Sequence, residues 1–143
     1  MNVFALVLPL GLLATACSES HTVPVQHLDK PADPTFSMFV SNQSFDLDPV
    51  DIKIKLDDQL AVTGDFVVEG QHTWIKFDFA LTPGNHTINV STGDVADVAL
   101  QMPFVMDDRK YAVVSFWFYE AGSPEPTPPH FSFQLLDEPP LFE

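Results

Sequence analysis

The stretch 50-VDIKIKL-56 decides how the rest of the chain is read. Val50, Ile52, Ile54 and Leu56 alternate with Asp51, Lys53 and Lys55. Successive side chains of an extended chain point to opposite faces, so a period of two predicts a strand with one face in a core and one in water. A helix would need apolar residues three and four apart, and this stretch has none of that spacing.

Working outward, the same period recurs. In 72-HTWIKFDFAL-81, Ile75, Phe77, Phe79 and Leu81 share one face, with Trp74, Lys76, Asp78 and Ala80 on the other. The stretch 85-NHTINVS-91 groups His86, Ile88 and Val90, and 95-VADVALQM-102 groups Ala96, Val98, Leu100 and Met102. Both faces of 110-KYAVVSFWFY-119 are apolar, which predicts a central strand. With 36-FSMFVSN-42, 60-LAVTGDFVV-68 and 130-HFSFQLL-136, about eight strands are expected from residue 36 to 143. The separators "LDDQ", "EGQ", "TPGN", "STGD" and "MDDRK" are turn formers. Short strands at regular spacing, several with a wet face, predict an all-β, single two-sheet antiparallel sandwich. The proline-rich 122-GSPEPTPPH-130 is expected to be an extended loop that carries the chain from one sheet edge to another.

Upstream of Phe36 the pattern differs. From Val3 to Ala16 there is no charge, and about 14 apolar residues are too few to cross a bilayer core that needs roughly 20. That length suits the hydrophobic region of a secretion signal. Small residues Ala14, Thr15 and Ala16 precede Cys17, the only cysteine of the chain. The stretch 13-LATAC-17 resembles the lipobox of bacterial lipoproteins, although Ala14 stands where that pattern has Leu and "MN" lacks its Lys or Arg. The resemblance implies a signal peptide over 1–16, cleaved before Cys17, and a diacylglyceryl group on the Cys17 thiol with a further acyl chain on its amino group. Two or three chains hold a protein on a membrane where one does so only marginally. Ser18 in place of Asp implies outer-membrane rather than inner-membrane residence. An incidental Cys17 in an ordinary signal, or an uncleaved anchor, are the alternatives. Residues 17–35, with three prolines and no apolar period, are expected to be a lipidated tether, about 60 Å long at full stretch.

The formal charge is −14, from 20 acidic and 6 basic residues. That argues against nucleic acid and against electrostatic docking on anionic lipid. With no second cysteine, no disulfide within the chain staples the fold, so the core must hold it. The turn and strand 81-LTPGNHTINV-90 resembles those of extracytoplasmic prealbumin-like and immunoglobulin-like modules of the PEGA type, which implies fold but no ligand. Pro83 fixes φ, and Gly84 permits the positive φ of a type II turn. Read as a hairpin, it puts Leu81 opposite His86 and leaves His72 roughly 30 Å away at about 3.3 Å per residue.

No histidine pair has metal-ligand spacing, and Met38, Met102 and Met106 read as core filling, so no metal and no cofactor is expected. His21 and His27 fall in the tether and can hold nothing rigidly. No G-x-S-x-G motif or phosphate loop is present, so no catalytic residue is assigned. The pairs Asp46/Asp48, Asp57/Asp58 and Asp107/Asp108 read as solvated turns. Trp117 and Tyr119 share a strand face with Tyr111 and Val113, and Trp74 lies on the wet face of its own strand. The expected function is therefore a non-catalytic binding or structural domain of the cell envelope, with an envelope protein or glycan as partner. The alternative is a carbohydrate or small-ligand module built on Trp74, Trp117 and Tyr119.

Overall fold

The computed structural model describes residues 21–68, 73–93 and 96–141. Among them are nine strands: β1 (Val25–Gln26), β2 (Phe36–Asn42), β3 (Val50–Leu56), β4 (Gln59–Phe66), β5 (Ile75–Phe79), β6 (Gly84–Thr92), β7 (Ala99–Met106), β8 (Lys110–Tyr119) and β9 (Thr127–Leu136). They form two packed sheets, one of five strands in the order β1-β4-β3-β6-β7 and one of four in the order β5-β2-β8-β9. The chain is an all-β two-sheet sandwich.

The alternation of β3 is the alternation of the core. Val50, Ile52, Ile54 and Leu56 are buried, and Lys53 and Lys55 are exposed. Between the sheets the largest buried side chains are Phe36, Phe66, Phe79 and Phe116. Phe36 stacks on Phe104 of the opposite sheet at 5.2 Å between ring centroids, and Phe116 meets Phe131 edge-on at 5.4 Å. Met38 and Met106 are buried among them.

Four expectations need correction. The four-stranded sheet is mixed, because β2 pairs with β8 in parallel and with β5 antiparallel. β2 thus has neighbours on both sides and is buried along nearly its whole length. "TPGN" is not a hairpin turn: it carries the chain between sheets, from β5 to β6, as "MDDRK" does from β7 to β8. Gly84 does take a positive φ, of 134°, but His86 is not paired with Leu81; it pairs with Phe104 of β7. The proline-rich stretch, expected to cross between sheet edges, instead joins the neighbours β8 and β9, and Thr127–His130 already belong to β9. β9 is an edge strand, where a proline's missing N–H can face outward.

The fourth correction concerns the tether. Its residues from Thr22 onward are docked. Val25 and Gln26 pair with Thr63 and Val62 of β4. Thr22 N donates to the Asp65 carboxylate at 2.6 Å, and Asp65 N donates to Thr22 O at 2.8 Å. His27, expected in a free tether, has its backbone N on Ala61 O and its ring Nε2 2.6 Å from Thr63 Oγ1. The Gln26 amide donates to Asp78 O and accepts from Asp78 N, so a side chain pairs the open edge of β5 as a strand would. Prolines had hidden this: Pro24, Pro31 and Pro34 break the apolar period without preventing a two-residue edge strand.

The turn between β3 and β4 holds Asp57 and Asp58 with φ of 49° and 63°, as a tight primed hairpin turn requires. Asp57 accepts from the backbone N of Thr87 at 2.9 Å and from His86 Nδ1 at 2.5 Å, and His86 Nε2 lies 2.7 Å from Thr82 O. An ionised carboxylate and a carbonyl both only accept, so only the imidazolium satisfies both contacts. Burial by itself would lower the His86 pKa, but the bonds to Asp57 and Thr82 and the Asp57 charge outweigh it and raise the pKa. Burial would raise Asp57, and its bonds to His86 and Thr87 and the His86 charge hold it low instead. A raised histidine stabilises the fold below its unfolded pKa and loses that contribution as pH rises through the folded value. A depressed carboxylate contributes above its unfolded pKa and loses it as pH falls. The pair therefore contributes fully between about pH 4 and 6.5. Titration of the His86 ring by NMR will give a midpoint above the ordinary histidine value, and Asp57→Asn will bring it down. A midpoint unmoved by that substitution would remove the imidazolium from the argument.

Candidate functional site

The two outer faces of the sandwich differ in chemistry. The outer face of the five-stranded sheet presents Lys53, Lys55, Asn85, Thr87, Asn89, Ser91 and Gln101, with the exposed aliphatic Leu60 and Val105 and no aromatic among them. That of the four-stranded sheet presents half-buried Phe39, Trp74, Tyr111, Val113, Trp117 and Tyr119, with Lys76, His130 and Gln134 on its outer strands. Its polar residues at the centre are small: Ser41 and Ser115 face each other across β2 and β8, their hydroxyls 3.1 Å apart.

The three aromatics singled out from sequence fall on this one face. Trp117 and Tyr119 come together with Ser123, Pro124 and Glu125 around a groove of about 370 Å³. Trp74 is not in that groove. It immediately precedes β5, and the register that sets Ile75 beside Val40 brings it level with Ser41, two strands away from β8. All three have their polar atoms turned to the domain. Trp117 Nε1 donates to Ser132 Oγ at 2.9 Å, Tyr119 OH donates to Gln43 O at 3.1 Å, and the Trp74 indole nitrogen is shielded from solvent. What they offer outward is ring surface, suited to stacking and apolar contact.

Beside this face, at the edge where β4 and β5 leave the two sheets, lies an apolar cleft of about 310 Å³. Val40 and Phe66 line it with Val23, Val67 and Ile75. Sequence reasoning passed over Val23, Val67 and Ile75 as ligand contacts. The V-P-V of Val23–Val25 was the available signal, lost inside a stretch read as a tether.

Several charged groups have structural partners. Burial would raise the Asp78 pKa, but its bonds from Ser37 and Lys76 and the charge of Lys30 hold it low. Lys110 Nζ joins Asp107 to Asp137, and those bonds push its pKa up. Asp46 and Asp48 accept backbone N–H groups of Glu120 and Val68. Among the described residues no three or more His, Cys, Asp or Glu side chains gather where they could hold a metal, and no helix is long and apolar enough to cross a membrane. Cys17 and His72 lie outside the described residues.

Pairing by strand addition finds little open edge. β5 is covered by Gln26, β9 carries Pro128 and Pro129, β7 carries Pro103, and β1 is two residues long. No family model matches the chain, and neither does any curated protein or solved structure.

Proposed function

We propose that this chain is a non-catalytic binding domain of the bacterial cell envelope, anchored by acyl chains on Cys17 and engaging an envelope protein with the outer face of its four-stranded sheet. The observation that carries the binding face is the contrast between the two sheets. A solvated sheet face is ordinarily polar, as Lys53, Lys55 and Asn85 make most of the other one, where the exposed Leu60 and Val105 are aliphatic rather than aromatic. A face of Phe39, Trp74, Tyr111, Val113, Trp117 and Tyr119 has the aromatic richness of interface surfaces. The lipobox-like 13-LATAC-17 supports the anchor, and Ser18 supports the outer membrane.

A second reading has its own observation. The groove of Trp117, Tyr119, Ser123 and Glu125 puts two ring faces beside a hydroxyl and a carboxylate, which suits stacking and hydrogen bonding to a sugar ring.

Intact mass of the protein from its membrane fraction tests the anchor. A chain starting at residue 17, heavier by a diacylglyceryl and an acyl group, is expected, and Cys17→Ala is expected to remove both the added mass and the membrane attachment. An unmodified mass would overturn the anchor. Titrating tryptophan emission with envelope oligosaccharides separates the two partners. A saturating shift that Trp117→Ala abolishes would select the glycan, and a flat titration the protein.

A further inference from the structure

The path of the N-terminal segment fixes which part of the domain stands nearest the lipid. Thr22 lies beside Asp65, one residue before the end of β4, so the chain toward Cys17 leaves at the end of the sandwich where β4 finishes at Phe66. β2 ends there at Asn42, β8 ends there at Tyr119, and β5 begins there at Ile75.

At this corner large apolar side chains face water. Val23 is 76% exposed and Phe45 58%, and Val67 and Ile75 are also exposed around the cleft above Val40 and Phe66. Phe45 is carried by a loop tied to both sheets, through Asn42 Nδ2 to Phe66 O and Ser44 Oγ to Phe118 O. Trp74 stands between Thr73 and Ile75 of the cleft wall. The opposite end carries Asp33, Asp57, Asp58, Asp107, Asp108, Arg109 and Lys110.

The length of chain names the occupant. Only four peptide units separate Cys17 from His21, at most about 14 Å when fully extended. The polar layer of one leaflet takes up about 5–8 Å of that. A domain held so closely must set its exit corner against the membrane. We propose that the corner formed by Val23, Phe45, Val67, Trp74 and Ile75 rests in the headgroup layer of the bilayer to which Cys17 is anchored. The inference rests on the anchor reading and adds to it an orientation. Indole and aliphatic side chains at the headgroup level are favourably placed. Charge does not help: Asp46, Asp48 and Asp65 flank the corner, engaged with backbone N–H groups. Contact is therefore apolar, and anionic lipid weakens it.

The chain has two tryptophans, so Trp117→Phe leaves Trp74 as sole reporter. The experiment takes the lipid-modified Trp117→Phe protein from membranes, confirms its mass, and reconstitutes it in zwitterionic vesicles with or without bromine on the acyl chains. In brominated vesicles Trp74 emission is expected to fall by about half, as for an indole at the interface. Phe45→Asp, at an exposed position, is expected to restore most of it, as is raising the anionic lipid content. A correct lipidated mass with equal emission in both vesicles would overturn the orientation and leave the anchor standing. A chain without lipid on Cys17 would overturn both.

Discussion

Phe36→Ala will cost about 3–5 kcal/mol, the range for removing a fully buried aromatic ring and leaving its cavity. Phe36 has no exposed surface, and its ring joins the two sheets. It stacks on Phe104 at 5.2 Å and meets Phe79 of the neighbouring strand at 6.3 Å. Phe104 continues the chain of rings to Phe133 at 6.2 Å and to His86 at 5.6 Å. Aromatic partners on two sides, one in each sheet, leave little freedom to collapse into the gap, so the cost belongs toward the upper part of the range. Domains of this size have about 5–15 kcal/mol in all, so the variant loses a large fraction of its margin. The urea midpoint is expected to fall with the slope unchanged, because the surface exposed on unfolding is nearly the same. Phe45→Ala, on the exposed loop, is expected to stay within about 0.5 kcal/mol. Equal midpoints for the two variants would show that Phe36 does not join the sheets.

The strands were legible because alternation is a local property. The bounds of "FSMFVSN", "VDIKIKL" and "KYAVVSFWFY" coincide with β2, β3 and β8, and in β3 the inward residues are those the period assigns. Pairing was not legible, because it depends on which sheet a strand joins. "TPGN" has the chemistry of a hairpin turn and serves equally well to cross from β5 to β6. The parallel contact of β2 with β8 brings together residues 74 positions apart, as at Ser41 and Ser115, and no local signal specifies it. Trp117 and Tyr119 could be placed on one face by counting along one strand, and they share it. Their neighbour Trp74, on another strand, reaches that face only through the register of β5 on β2.

Only partner geometry reveals why the segment before Phe36 docks. Its β1 is two residues long, too short for any period to register, and the Pro24 backbone before it packs directly against Gly64. Gly64→Ala is therefore the second substitution with a large expected effect, and its effect will be local. Gly64 has a φ of 152°, which side-chain-bearing residues rarely adopt. A Cβ there would lie 2.7 Å from Pro24 N and nearer still to Pro24 Cα, so backbone rather than a movable side chain must give way. The unfavourable φ costs about 1–2 kcal/mol, and the segment's few hydrogen bonds are worth only about 0.5–1.5 kcal/mol each. Undocking of residues 22–28 is the cheaper response. Amide exchange at Asp65 and His27, whose N–H groups are held by Thr22 O and Ala61 O, is expected to quicken at least about tenfold, the factor for 1.4 kcal/mol. The Asp78 amide will quicken with them, because it loses the Gln26 side chain. Amides of β2 and β8 are expected to keep their protection, since that pairing does not involve the segment. Uniform quickening across all strands would instead make the segment part of the cooperative core. Undocking also lengthens the free chain after Cys17 from about 14 Å to about 40 Å at full stretch. On vesicles, Gly64→Ala should therefore release Trp74 from quenching without detaching the protein, because the lipid remains while the short reach that holds the corner down is gone.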